Sequence, residues 1–189
     1  MAKVALLLTQ GFADWEYALI AGTGRPFYGI DIQFFAPEAG EIHSQGGLAT
    51  VISHTIENIP EWSPNAVVII GGTIWTSEDT PDVGELLKTQ HSKGGIVAGI
   101  CGGTLPLARA GLLNEVSHTS NDAEFLNKNA AGYSGSEQFC ASVSAISDNR
   151  VITAPGTAPV SFTAAIFESI GIDGTVVKQF REMMAAEHV

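Results

Sequence analysis

The sequence predicts an α/β fold, a three-layer αβα sandwich built on a mostly parallel sheet. Three observations carry this. Short apolar runs alternate with helix-like stretches, the runs are apolar throughout rather than at every second residue, and Gly or Pro stands at the junctions. Uninterrupted apolar runs suit strands covered on both faces, and βαβ alternation lays such strands side by side in parallel. A chain of 189 residues is the size of one domain, here expected to span residues 1–189.

Val4–Leu8 is the first such strand, and Asp14–Tyr28 reads as a helix with Asp14 as its N-cap. Ile30–Phe35 is a second strand, closed by Ala36-Pro37. Gly40–Thr50 reads as a hairpin turning near Gly46-Gly47. Val67–Ile70 is a third buried strand, stopped by Gly71-Gly72. Pro81–His91 is a helix with its proline near the first turn. Ile96–Ile100 runs straight into Cys101-Gly102-Gly103, and Thr104–Leu113 follows as a helix. Val151–Thr153 is a late strand, and Pro159–Ile170 and Asp173–Ala186 are closing helices. The stretch between Glu115 and Asn149 is the least legible, with a strand contribution expected from Glu137–Ile146.

Composition narrows the function. With 45% hydrophobic and 15% charged residues the chain can bury a sizeable core. Nine Lys+Arg against 20 Asp+Glu give a net charge of −11, which disfavours nucleic-acid backbones and anionic membrane surfaces. No run approaches the ~18 apolar residues of a membrane span, and Met1–Thr9 reads as a strand rather than a secretory signal. Cys101 and Cys140 make neither a disulfide framework nor a CxxC pair, so a cytoplasmic protein with reduced thiols is expected. His43, His54, His91 and His188 show no metal-ligand spacing, and no nucleotide fingerprint is present. No metal or cofactor is expected.

In α/β sheets the chemistry sits beyond the carboxyl ends of the strands. Gly99-Ile100-Cys101-Gly102-Gly103 matches the nucleophile elbow, with Cys in place of Ser. A residue on that sharp strand-to-helix turn projects above the sheet. The following helix directs N–H groups at the sulfur, which implies a thiol pKa below the ~8.5 of free cysteine. Gly71-Gly72 ends a neighbouring strand; unobstructed N–H groups there and at Gly102 are candidates for an oxyanion hole. Asp14-Trp15-Glu16-Tyr17 follows the first strand, and its two carboxylates are equally explained as favourable charges at a helix start. Trp75 is a candidate pocket wall, or else an exposed loop aromatic or interface anchor. Cys140 reads as a packed hydrophobe rather than a second redox centre.

These blocks resemble the ThiJ/PfpI superfamily, the DJ-1-like and class I glutamine amidotransferase-like group. The match runs in order through Asp14-Trp15-Glu16, Val68–Gly72, Ala98–Gly103 with the helix after it, and Ala154-Pro155-Gly156-Thr157. The resemblance implies a flavodoxin-like or Rossmann-like sandwich. It implies Cys101 as reactive centre, Glu16 as its hydrogen-bonding acid and Gly72 as an oxyanion donor. It also implies a homodimer, and hydrolase or lyase chemistry on a small-molecule substrate without naming it. The departure is a missing histidine. Gly102 follows the Cys, and ungapped counting from Gly111-Leu112-Leu113 puts Asn121 at the usual His place, with His118 three residues earlier. A Cys–Glu dyad is therefore the expectation, with His118 a possible partner. A small electrophilic carbonyl is the leading substrate class. The alternatives are a redox or stress sensor or chaperone using the same thiol, and a cysteine peptidase or amidotransferase, which needs a well-placed imidazole.

Overall fold

The computed structural model describes residues 1–186; His188 lies outside them. Strands β1 (Lys3–Leu7), β2 (Asp31–Ala36), β5 (His54–Thr55), β6 (Ala66–Ile69), β7 (Ile96–Ile100), β8 (Ile146–Asp148) and β9 (Val151–Ala154) form one sheet. Its order is β5-β2-β1-β6-β7-β9-β8, parallel except for the antiparallel β8–β9 pair. A separate antiparallel hairpin pairs β3 (Gly40–His43) with β4 (Ala49–Ile52), Gly40 opposite Ile52. The fold is thus the mixed α/β, mostly parallel sandwich that the sequence implies.

The continuous apolar runs explain the layers. Successive strand residues face opposite sides. Val4, Leu6, Val68, Ala98, Ile100 and Ile152 pack into one cluster, with Ile20 of α1 (Asp14–Tyr28), Phe162 and Phe167 of α6 (Pro159–Ser169) and Phe180 of α7 (Gly174–Ala185). Ala5, Leu7, Val67, Ile69, Val97 and Val151 pack into the other, with Ile59 of α2 (Ile59–Trp62), Leu87 of α3 (Gly84–Ser92), Leu105 and Leu107 of α4 (Thr104–Arg109) and Leu126 of α5 (Ala123–Asn129). At ~1.5–3 kcal/mol for each fully buried Val, Leu or Ile, these two faces hold the layers together.

Several boundaries differ from expectation. The N-cap of α1 is Ala13; Asp14 is the first helical residue. Helix α3 begins at Gly84 because Asp82 Oδ1 accepts its N–H at 2.9 Å, fixing a turn after the proline. Helix α4 stops at Arg109 rather than running to Leu113. Leu112 N bonds back to Leu107 O at 3.1 Å, a wide closure that ends the spiral. Glu137–Ile146 is not a strand. Ser136–Gln138 is a 3-10 turn, and the Ser142 hydroxyl bonds Ser144 O at 2.9 Å and Ser144 N at 3.1 Å, drawing the backbone away from a ladder. Only Ile146 of that stretch enters β8. Helix α5 and the short β5 and α2 were not foreseen; Asp122 caps α5 by accepting from Phe125 N at 2.7 Å.

Candidate active site

The chain passes from β1 to β2 on one side of it and, after β5, crosses back to lay β6 on the other. The crevice at that reversal, beyond the ends of β1, β6 and β7, is where a doubly wound sheet exposes its loops. Cys101 stands there with φ of 55°, a left-handed backbone that a non-glycine side chain rarely adopts. A 3-10 turn, Cys101–Gly103, separates it from the six-residue α4. The helix behind the sulfur is therefore shorter than the sequence implied, and so is its dipole.

Glu16, in the first turn of α1, reaches the same crevice and is fully buried. Its Oε2 accepts the Gly71 N–H at 2.6 Å. Its Oε1 is buried with no hydrogen-bond partner and lies beside the Cys101 side chain: a Cβ on Gly156 would stand 3.3 Å from Oε1 and 3.0 Å from Sγ. Burial pushes the Glu16 carboxyl up to about 7, against the opposing pull of the Gly71 amide and the thiol. Burial, and then the Glu16 carboxylate, also push the thiol above its usual value, opposed by the Asn121 amide and the Gly102 N–H. The depressed thiol expected from the elbow alone is thus overridden by two influences that spacing does not reveal, desolvation and a like charge. One proton leaves near neutrality and the second only above the ordinary thiol range, so over the interval between them the two groups share a single proton.

Around the sulfur stand backbone and amide groups. Gly72 and Gly102 lie side by side: a Cβ on Gly102 would be 3.4 Å from Gly72 N. The neighbouring bonds, Ala13 N to Gly71 O at 2.9 Å and Thr73 N to Gly11 O at 3.4 Å, leave the Gly72 N–H without a backbone acceptor. Asn121 Nδ2 donates to Cys101 Sγ at 3.3 Å, and its Oδ1 accepts from Gly156 N at 3.0 Å. Trp15 Nε1 donates to Gly156 O at 2.9 Å. Gly156 itself crosses close over the site; a Cβ there would stand 3.0 Å from both Cβ and Sγ of Cys101, so a larger residue would press on the cysteine.

The other candidates lie elsewhere. His118 is fully buried with both ring nitrogens taken: Nδ1–H donates to Val116 O at 2.8 Å, and Nε2 accepts from the Tyr133 hydroxyl at 2.7 Å. Burial holds it below the usual imidazole value, that is, neutral. Asp14 accepts from Gly46 N at 2.8 Å, and the Ser44 hydroxyl and that amide hold its carboxyl low; it ties α1 to the hairpin rather than facing the sulfur. Trp75 is neither exposed nor an open pocket wall. It is completely buried, donates Nε1–H to Ile70 O at 2.9 Å and packs beneath Gly102. Cys140 is exposed, not packed. Sequence reasoning did not single out Asn121, Trp15 or Gly156 as site residues, although Asn121 was the residue counted into the vacant histidine place. Among the described residues no three His, Cys, Asp or Glu side chains gather to hold a metal ion, and no helix is long and apolar enough to cross a membrane.

A cysteine on a strand-to-helix elbow, with a buried acid from the first helix beside it, defines a class of parallel-sheet sandwich proteins. The chain belongs to the DJ-1/PfpI family, which it matches over residues 2–169. Two proteins of Bacillus subtilis are similar to it. Uncharacterized protease YoaZ is 32% identical over 182 residues, covering 90% of this chain and 84% of its own. Uncharacterized protease YdeA is 34% identical over 175 residues, covering 92% and 85%. Among solved structures, the DJ-1 superfamily protein Atu0886 of Agrobacterium tumefaciens superposes with a TM-score of 0.94 and 35% identity over 100% of both chains. The thiJ/pfpI family protein of Bacillus anthracis superposes with a TM-score of 0.85 over 98% of this chain and 91% of its own; at 24% identity it shares the fold.

Proposed function

We propose that the chain is a cysteine-dependent hydrolase or lyase acting on a small electrophilic carbonyl compound. The observation that carries this is the buried Glu16 carboxyl, with one oxygen fixed by Gly71 and the other unpartnered beside the Cys101 side chain. With the shared proton on Glu16, the sulfur is a thiolate. It forms a C–S bond to the carbonyl carbon while the C=O π pair moves onto oxygen. The Gly72 and Gly102 N–H groups supply donors for that oxyanion, and Glu16 delivers its proton to it. Glu16 then stands ready, as a carboxylate, to take the next proton. No step in this scheme requires a metal or organic cofactor. The reading includes a small-molecule partner, a homodimer and a cytoplasmic setting. The net charge of −11 supports it against nucleic-acid binding.

Turnover of 2-oxoaldehydes, isocyanides and peptides by the purified chain, with Cys101→Ala alongside, tests the proposal. Cys101-dependent consumption of an aldehyde is expected. No Cys101-dependent turnover of any of the three overturns it. Peptide cleavage is the disfavoured outcome, because His118, three residues from Asn121, spends both ring nitrogens on Val116 and Tyr133.

A second reading rests on the same pair. A carboxyl protonated near neutrality and the Asn121 amide are donors suited to a sulfinate oxygen on Cys101, which would make the protein a redox or stress sensor. Mild peroxide followed by intact mass spectrometry tests it: two oxygens added at Cys101 alone support sensing, and oxidation spread over other residues speaks against it.

A further inference from the structure

We infer that Asn121 is a catalytic residue that holds the Cys101 sulfur in its ionised form, and that Trp15 positions it through Gly156. Three hydrogen bonds run in series. Trp15 Nε1–H donates to Gly156 O at 2.9 Å, Gly156 N–H donates to Asn121 Oδ1 at 3.0 Å, and Asn121 Nδ2–H donates to Sγ at 3.3 Å. The order matters chemically. A free primary amide can turn either end toward a neighbour, and its oxygen would repel a thiolate. With Oδ1 held by the Gly156 N–H, only the NH₂ end can face the sulfur. Gly156 is in turn held at both its backbone polar atoms, by Asn121 at its N–H and by a tryptophan from the first turn of α1 at its C=O.

The inference deepens the enzymatic reading, because it rests on Cys101 as the reactive centre. It also assigns the proton traffic. An amide has no proton to give or take near neutral pH, whereas the imidazole usual at this place has. The ionisable groups around the sulfur can be named element by element. Glu16 comes from α1. Asp14, on the same helix, is turned to Ser44 and Gly46. Asp122, beside Asn121, caps α5, and His118 is turned to Val116 and Tyr133. Among the described residues Glu16 is thus the one titratable partner of the thiol, and Asn121 biases the shared proton toward Glu16 by favouring charge on sulfur.

The test reads thiol ionisation and needs no substrate. The rate of alkylation of Cys101 by iodoacetamide is followed from about pH 5 to about pH 10 by mass spectrometry of its own peptide, in a Cys140→Ser background because Cys140 is exposed. Asn121→Ala is expected to slow alkylation near neutrality by about three- to tenfold and to move the profile upward by up to ~1 pH unit, the effect of losing one charge-assisted hydrogen bond that is open to solvent. Asn121→Asp keeps an oxygen for the Gly156 N–H but replaces the donor with a carboxylate. It is expected to slow alkylation at least as much. Trp15→Phe keeps an aromatic side chain and removes the donor, with an expected slowing of about twofold. A profile for Asn121→Asp that overlays the parent, or an unchanged midpoint in Asn121→Ala, overturns the inference whatever the turnover assays show. A shifted profile in a chain that turns over nothing upholds it while removing the enzymatic reading.

Discussion

Glu16 occupies the space a side chain on Gly71 would need: a Cβ there would stand 2.5 Å from Glu16 Oε2 and 2.9 Å from Cys101 Cβ. The same glycine gives the carboxyl its 2.6 Å amide bond. Gly71→Ala therefore pushes acid and thiol apart. We expect a loss of stability of ~1–3 kcal/mol, as for overpacking elsewhere, together with loss of any Cys101-dependent turnover. Urea unfolding and the turnover assay check the two halves separately.

The pair predicts a bell-shaped rate. Activity should rise as the first proton leaves near pH 7 and fall where the second leaves, above the ordinary thiol range. Glu16→Gln removes the negative neighbour, so the thiol of that variant should ionise at lower pH than the second step of the parent and show one ionisation only. A parent profile with no inflection near neutrality counts against the shared proton.

Stability should follow pH with a definite sign. The folded Glu16 carboxyl, raised from 4.5 to about 7, binds its proton more tightly than in the unfolded chain. Its contribution is fully present below pH 4.5 and declines as pH rises toward 7, by at most ~3 kcal/mol. Glu16→Gln should flatten this fall. Melting temperatures of the two proteins across that interval provide the check.

His118 acts in the opposite direction. It is held neutral by burial, so protonation in the unfolded chain draws the protein apart as pH drops below 6.5. His118→Phe removes this acid sensitivity but also leaves Val116 O and the Tyr133 hydroxyl unpaired, a cost of ~1–3 kcal/mol at neutral pH. The Cys101 alkylation profile should be untouched, which distinguishes a structural imidazole from a catalytic one.

Asp14→Ala should loosen the hairpin rather than the chemistry. The amide of Gly46 loses its acceptor, and hydrogen exchange at Gly46 should quicken while exchange at Gly71 stays as slow as in the parent.

The parallel sheet was legible because Val67–Ile70 and Ile96–Ile100 are apolar at every position, a pattern that few other environments support. The elbow was legible from Cys101 between small residues. The contacts of Asn121 and Trp15 were not, since the two meet at Gly156, a residue far from both in sequence. Nor could spacing reveal the raised thiol, which comes from burial and from a carboxylate 85 residues away. The segment 137–146 misled because its apolar residues suggested a ladder while its serines had nearer partners for the backbone.

The two outermost strands of the seven-stranded sheet are its shortest, two residues in β5 and three in β8. Each offers too little bare backbone to template a neighbour, so lateral growth into fibrils is blunted at both borders. A second copy that docked on this chain would find little strand edge on the seven-stranded sheet to extend.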